Sequence, residues 1–240
     1  MISVCMATYN GGKYLKKQLD SILFQLNDDD EIIISDDGSI DNTVEIINGF
    51  NDKRIKLLRH QKNKINHQNA AHIYTTKNFE NALNHANGDL IFLCDQDDRW
   101  HPDRVKIMTN YLREYDCVMC NFNLMDEKDK IYQNQYFPNS PISKSLFVNL
   151  IRMPFYGSAM AFRKQLLSRI LPFPNDLPVH DNWIGLISQK YGKTYFITKS
   201  LHDYRRHNNS VSNAASGISS NSLSYRLKYR LAILISYLKR

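Results

Sequence analysis

Short apolar runs alternate with helix-length amphipathic segments through the first half of the chain, and few folds satisfy that alternation. An apolar run, a turn, a segment of period 3.6 and another apolar run read as a βαβ succession, because parallel strands need a crossover long enough to cover a sheet face. Residues 2–7 form the first run, and the stretch 14–25 places Leu15, Leu19, Ile22, Leu23 and, just beyond it, Leu26 at helical spacing. Residues 31–35 predict a second strand, 41–50 a helix with Asp41 as its cap, and 55–58 a third strand. After a polar loop over 61–71, a helix is expected over 78–86 and a strand over 89–93, running straight into Cys94-Asp95-Gln96-Asp97-Asp98. Pro102 opens a further helix to about residue 114, in the first turn where its missing donor costs nothing. The expected class is α/β, with a Rossmann-like, mainly parallel central sheet flanked by helices.

The second half is less regular. A strand is expected over 117–125, a loop with Pro138 and Pro141, a helix over 143–150, and a helix over 181–191 after His180-Asp181. Two short strands follow at 194–197 and 201–205. A Ser/Asn-rich stretch over 208–224 reads as a loop or linker that sets apart a basic, aromatic tail. The expected organisation is a domain over 1–212, divided into a first half (1–115) and a second half (116–212), with a linker and basic amphipathic helical extension over 213–240.

The chain has 240 residues, 42% hydrophobic and 23% charged, which fits one large globular domain with a short appendage and excludes disordered and fibrous classes. A net charge of +7 asks for an anionic partner: phosphate, nucleic acid or an acidic membrane face. No apolar stretch approaches the ~18 residues of a membrane span, and residues 1–6 lack a basic region and cleavage site, so a cytoplasmic location is expected. Of the four cysteines, Cys117-x-x-Cys120 has the spacing of half a zinc site, but no second pair follows and its surroundings read as a buried strand.

Aspartates at the ends of the apolar runs are the chemical clue, since open α/β sheets bind ligands beyond the carboxyl ends of their strands. Asp95 and Asp97, two apart, can present oxygens to one hard divalent cation, with Asp98 able to share that duty; the alternative is that Asp97 and Asp98 cap the helix near Pro102. Asp36-Asp37-Gly38-Ser39 is, taken alone, a turn-and-cap pattern.

Both clusters occur with Ala7-Thr8-Tyr9-Asn10-Gly11-Gly12 at the end of the first run, and here the sequence resembles the family 2 glycosyltransferases of the GT-A fold. Tyr14-Leu-x-x-Gln18, Lys77-Asn78-Phe79-Glu80, Phe92 to Asp98 with Trp100 and Pro102, Gly157-Ser158-x-Met160-Ala161-Phe162, His180-Asp181-x-Trp183 and Tyr204-Arg205-x-His207 carry the resemblance from residue 2 to about 212. The wording is most similar to the bacterial rhamnosyltransferase-like branch that builds surface polysaccharides. The resemblance implies that Thr8, Tyr9 and Asn10 line a nucleotide pocket and that Asp37 meets the pyrimidine with Asp36 nearby. It implies that Asp95 and Asp97 hold Mn²⁺ or Mg²⁺ against a donor diphosphate. Lys77 would neutralise phosphate, unless it is simply a cationic helix surface. Gly157 and Ser158 would let backbone approach the sugar. His207 would reach the metal or diphosphate, a solvated loop histidine being the alternative. Asp181 would be the catalytic base, its alternative being a helix cap.

The implied reaction is a single inverting displacement from a UDP- or dTDP-linked hexose or rhamnose to a glycan or lipid-linked acceptor in polysaccharide, lipopolysaccharide or capsule biosynthesis. A sugar-1-phosphate nucleotidyltransferase is the rival enzyme, but its glycine-rich N-terminal loop is missing. A non-enzymatic basic domain binding nucleic acid or membrane is the rival from another class; no nucleic-acid module is recognised, and the aspartates would repel phosphate without a metal. In the tail, Leu227, Leu231, Leu234 and Leu238 follow helical spacing among Arg226, Lys228, Arg230, Lys239 and Arg240. An interfacial helix over 222–240 on an anionic inner leaflet is expected, making the protein peripheral at the plasma membrane; packing on its own domain or another subunit is the alternative.

Overall fold

The computed structural model describes residues 1–60, 70–175, 177, 180–207 and 223–240. The linker residues 208–222 and most of the polar loop over 61–71 therefore lie outside the described residues. The apolar runs become strands: β1 (Ile2–Thr8), β2 (Glu31–Asp36), β3 (Ile55–Arg59) and β4 (Leu90–Asp95). Between them lie the helices α1 (Gly12–Leu23), α2 (Thr43–Gly49) and α3 (Ala70–Asn84). There follow β5 (Arg99–Trp100), α4 (Arg104–Tyr111), β6 (Cys117–Met125), β7 (Ile131–Gln133), α5 (Leu146–Arg152), and a 3-10 turn at Gly157–Ala159 that feeds β8 (Met160–Arg163). A second 3-10 turn leads into α6 (Leu167–Ile170), then α7 (His180–Tyr191), β9 (Thr194–Arg205) and α8 (Leu223–Lys239).

The strands form one sheet in the order β3-β2-β1-β4-β8-β6-β9-β5, with β7 on β6. β3, β2, β1 and β4 are all parallel, as the βαβ reading requires. The second half adds antiparallel pairings of β8 with both β4 and β6, while β6 and β9 are parallel. The strands of the parallel half are apolar along their length because helices cover both faces: Val4, Met6, Ile32, Ile33, Ile34, Phe92 and Leu93 are fully shielded from solvent. α1 docks with Leu15, Leu19 and Ile22, the positions its spacing marked.

Differences from the sequence expectation have local causes. α3 begins at Ala70 rather than near 78, because Ile73 and Thr76 continue the buried stripe of Phe79, Ala82 and Leu83 at three- and four-residue intervals. β9 is one strand rather than two, its ladder to β6 carried past the polar residues 198–200 by register shifts near Cys120 and Asn121. The first and second halves share the sheet. All four cysteines are free and buried, and burial pushes the Cys117 thiol up to about 12, which fits strand packing rather than redox chemistry. Where α7 crosses Phe155, a Cβ on Gly185 would lie 2.2 Å from the phenyl ring, so the close approach needs glycine.

Helix α8 packs on its own domain through one face and leaves the other exposed. Ile233 is buried, and Tyr229, Leu234 and Tyr237 pack against the core. Arg230 Nη2 donates to the Ile151 carbonyl of α5 at 2.5 Å, and Lys190 Nζ of α7 donates to the Tyr237 carbonyl at 2.7 Å.

Candidate functional site

Parallel strands aim their carboxyl ends in one direction, and the register sets Thr8 beside Asp36 and Ala7 beside Asp95 along one edge. Asp36 builds the turn there. Its Oδ1 accepts the Gly38 and Ser39 amides at 3.1 and 2.9 Å, and its Oδ2 accepts the Ser39 and Thr8 hydroxyls at 2.5 and 3.0 Å. Both oxygens of Asp36 are thus occupied within the turn, and the buried Asp36 and Thr8 side chains brace this end of the sheet. Asn10 adopts a left-handed φ of 50°, which Asn tolerates, and its Oδ1 accepts the Ile40 amide at 2.9 Å. Gln96 grips Tyr9 from both sides: Tyr9 N donates to its Oε1 at 2.9 Å and its Nε2 donates to the Tyr9 carbonyl at 3.2 Å. The Tyr9 side chain stays 47% exposed at the mouth of the edge. Asp37 leaves β2 with its amide on the Thr8 carbonyl at 2.9 Å and its Oδ1 2.5 Å from His60 Nδ1.

At the end of β4 the acidic turn is held from the far end of the chain. Asp97 Oδ2 and His207 Nε2 are 2.6 Å apart, and Tyr14 packs beside the imidazole at 5.2 Å between centroids. Arg205 donates from Nε to the Asp97 carbonyl at 2.7 Å and from its backbone amide to Asp98 Oδ1 at 3.0 Å. Asp98 lies deeper and does not cap α4, whose N-cap is Asp103: it is 1% exposed, with Oδ2 3.8 Å from the buried His202 Nε2. Burial holds the Asp98 carboxyl high and the His202 imidazole low. The Asp95 carboxyl is pushed up to about 7 by burial and by the neighbouring Asp97 and Asp181, against the Ser158 hydroxyl and Arg104. The Ser158 hydroxyl thus supports the Asp95 carboxyl. Arg104 is wholly buried, donates to the Ser158 carbonyl at 2.5 Å and stacks on Trp100 at 4.3 Å. Beside His207 a cleft of ≈ 520 Å³ opens, lined by Asp126, Glu127, Lys128 and Arg206.

Asp181 stands in the first turn of α7. Its Oδ1 accepts the Asn182 amide at 2.7 Å, and the Gly157 amide also donates to the carboxylate. Burial nevertheless raises its pKa. Gly157 allows this turn to press in: a Cβ there would lie 3.2 Å from His180 Nε2 and 3.4 Å from Asp181 Cβ. His180 stacks on Phe79 at 4.4 Å, and burial together with His72 lowers its pKa to about 3, which leaves it neutral. Lys77 is exposed on α3, and the structure gives it no hydrogen bond or ion pair among the described residues. Neighbouring Asn78 donates to the Thr8 carbonyl at 3.2 Å, and Thr76 lies 3.5 Å from His180.

The edge therefore brings Tyr9, Asn10, Asp37, Asp95, Asp97, Gly157, Asp181 and His207 to one end of the sheet. Sequence reading missed His60, His72, Arg104 and the network around Asp203. A hard cation fits the acidic turn in one respect: Asp97 and His207 converge, and the crowding that raises Asp95 is the kind a positive charge relieves. Among the described residues no three His, Cys, Asp or Glu side chains form a cage, so further ligands would come from a phosphate and water, the usual habit of Mg²⁺.

Asp203 supports the turn from β9, where His101 Nε2 and Asn123 Nδ2 each lie 2.8 Å from Oδ1 and Arg99 Nη2 lies 2.7 Å from Oδ2. Burial would raise this carboxyl, but the bonds from His101, Asn123 and Arg99 bring it down to about 2. A depressed pKa stabilises the fold above the unfolded value and loses that contribution as pH falls through the folded one. Asp203→Asn should be less stable than the unaltered chain by roughly 2 kcal/mol at neutral pH, the gap closing between about pH 4 and pH 2. Urea titrations across that window check it; a gap independent of pH would place the loss elsewhere.

A family model described as Glycosyl transferase family 2 matches residues 3–171. The chain is 26% identical over 228 residues to an uncharacterised glycosyltransferase of Nostoc sp., covering 89% of this chain and 68% of that protein. It is 24% identical over 218 residues to the putative teichuronic acid biosynthesis glycosyltransferase TuaG of Bacillus subtilis, covering 88% and 81%. Among solved structures, S. aureus TarS 1–349 in complex with UDP-GlcNAc aligns with a TM-score of 0.73 at 19% identity, over 98% of this chain and 66% of that one. That likeness is one of fold, and it identifies the curled sheet with its flanking helices as GT-A.

Proposed function

This chain belongs to glycosyl transferase family 2, and from that premise we propose that it is an inverting, metal-assisted transferase that moves a sugar from a UDP- or dTDP-linked donor to a glycan or lipid-linked acceptor in bacterial polysaccharide biosynthesis. The observation that carries the reading is the convergence of Asp97 with His207 at 2.6 Å beside Asp95, at the same strand edge as Asp37 and Asp181. Asp37 meets the pyrimidine, Tyr9 and Asn10 shape the nucleotide pocket, and Lys77 is available to phosphate. Asp95, Asp97 and His207 would hold Mn²⁺ or Mg²⁺, which supplies charge neutralisation for a diphosphate leaving group.

Asp181 takes the acceptor hydroxyl proton as the oxygen attacks the anomeric carbon. A base raised by burial is better matched to that proton than an ordinary carboxylate, and Asn182 with Gly157 fixes the carboxylate's orientation. Neutral His180 and Phe79 wall this corner. One displacement inverts the anomeric centre, so the product's configuration, read by NMR, tests the reaction class: retention would overturn the single displacement. The rhamnosyl branch enters as one donor among UDP- and dTDP-sugars to be screened.

The exposed face of α8 supports binding to an anionic membrane. Leu227, Leu231, Ile235 and Leu238 are 45–70% exposed, and α5 adds Phe147 and Ile151 beside them. Neither helix contains an acidic residue, while Arg152, Lys228 and Lys239 are exposed around the apolar row. No helix among the described residues is long and apolar enough to cross a membrane. Because the opposite face of α8 is packed on the domain, deleting the helix would uncover core. Phe147→Glu with Leu231→Glu is the cleaner test. Partition onto phosphatidylglycerol vesicles should fall roughly tenfold or more, with the melting temperature unchanged. Equal partition would remove the membrane from the reading.

A further inference from the structure

His60 has no part in any role given above, yet its imidazole reaches the Asp37 side chain. The pairing follows from strand register. β2 and β3 run parallel with Asp36 opposite Arg59, so the next residues, Asp37 and His60, leave the sheet side by side. The His60 amide donates to the Asp36 carbonyl at 2.8 Å, carrying the ladder one step past the strand and fixing the histidine backbone. Its Nδ1 then lies 2.5 Å from Asp37 Oδ1, with the Asp37 side chain 4% exposed and the His60 side chain 20% exposed. On its other side Asp37 is tethered through its amide to the Thr8 carbonyl. The Asp37 backbone is thereby tied to β1, and its carboxylate is reached by the residue that follows β3.

We infer that His60 is a positioning residue that holds the Asp37 carboxylate as an oriented acceptor for the imide N–H of uracil or thymine, and so sets the preference of the donor site for those bases over cytosine. The inference rests on reading Asp37 as the pyrimidine contact. The chemistry is one of matched polarity. An ionised carboxylate only accepts hydrogen bonds. Uracil and thymine offer a hydrogen at N3, whereas cytosine offers a lone pair there, so a fixed carboxylate attracts the first two and repels the third. A carboxylate free to rotate away discriminates less, because it can turn from cytosine to solvent. His60 removes that freedom by engaging one oxygen through Nδ1–H.

Isothermal titration of UDP, CDP and pyrophosphate, each with Mn²⁺, into the wild-type chain, His60→Ala and His60→Asn tests this. The wild-type chain should bind UDP more tightly than CDP. His60→Ala should lose roughly tenfold in UDP affinity, the scale of one hydrogen bond to a charged group, while CDP binds as tightly as before or more tightly and pyrophosphate stays unchanged. His60→Asn, whose side-chain amide can donate from nearly the place of Nδ1, should recover most of the UDP affinity. A histidine that merely stiffened the loop would not shift the ratio of UDP to CDP, so an unchanged ratio in His60→Ala overturns the inference, as does a parallel loss of all three ligands. If the wild-type chain binds UDP no better than CDP, the reading of Asp37 itself fails first.

Discussion

Asp181→Asn is expected to bind the nucleotide-sugar as the unaltered chain does and to transfer sugar about 10²- to 10⁴-fold more slowly, the usual contribution of a positioned general base. The separation follows from where the groups stand. Asp181 lies in the first turn of α7 against Gly157, whereas diphosphate and cation are assigned to Asp95, Asp97 and His207 at the end of β4 and beyond β9. Asn keeps an oxygen that can accept the Asn182 amide, so α7 should start where it does now. Donor affinity by calorimetry and single-turnover transfer distinguish the outcomes. Transfer within a few-fold of the parent chain would remove Asp181 from catalysis, and a loss of donor affinity in step with rate would make it a binding residue.

The second large effect is expected at Asp97. UDP or dTDP at a hundred times its dissociation constant should stabilise the fold by about 2.7 kcal/mol, or roughly 5 to 10 °C for a domain of this size, and Mn²⁺ should enlarge the shift. In Asp97→Ala the metal-dependent increment should vanish while a metal-free nucleotide shift persists. Asp97→Asn keeps a partner for His207 and guards against a loss caused by disordering that loop. An undiminished increment in both variants would take Asp97 out of the metal site. A parent chain that no nucleotide stabilises would undermine the transferase reading as a whole.

The features legible in the sequence were those fixed by periodicity and by chain polarity. Leu15, Leu19 and Ile22 announced one buried face of α1, and four apolar runs announced the parallel half of the sheet, because both depend on neighbours in sequence. The aspartates were legible for the same reason: each follows an apolar run, and parallel strands deliver their carboxyl ends to one edge. What the spacing could not show was which acids brace the turns. Asp36 and Asp98 look like Asp37 and Asp97 in the sequence, but the former bond within a turn and to the Arg205 amide. His60 was illegible because its partner lies across a strand pair, 23 residues away. Arg104 was illegible because a charged residue on a helix normally points to water, whereas here it lies under Trp100 and Ser158. The exposed face of α8 was anticipated from leucine spacing, but its other face and the contribution of Phe147 required the packing of α5 against it.

The clamp on the acidic turn bears on how the chain acquires its site. Asp97 and Asp98 are gripped by Arg205 and His207, separated from them by 107 to 110 positions, and β5 reaches the sheet only through β9. Contacts of such sequence separation require closure of long loops, whose entropy must be offset before they form, so they come late in folding. A nascent chain that has threaded only its first four strands already has the parallel sheet and both aspartate-bearing segments, yet lacks the residues that hold the turn in place. Affinity for a metal–nucleotide complex should therefore emerge abruptly when β9 docks, rather than grow with the length of chain synthesised.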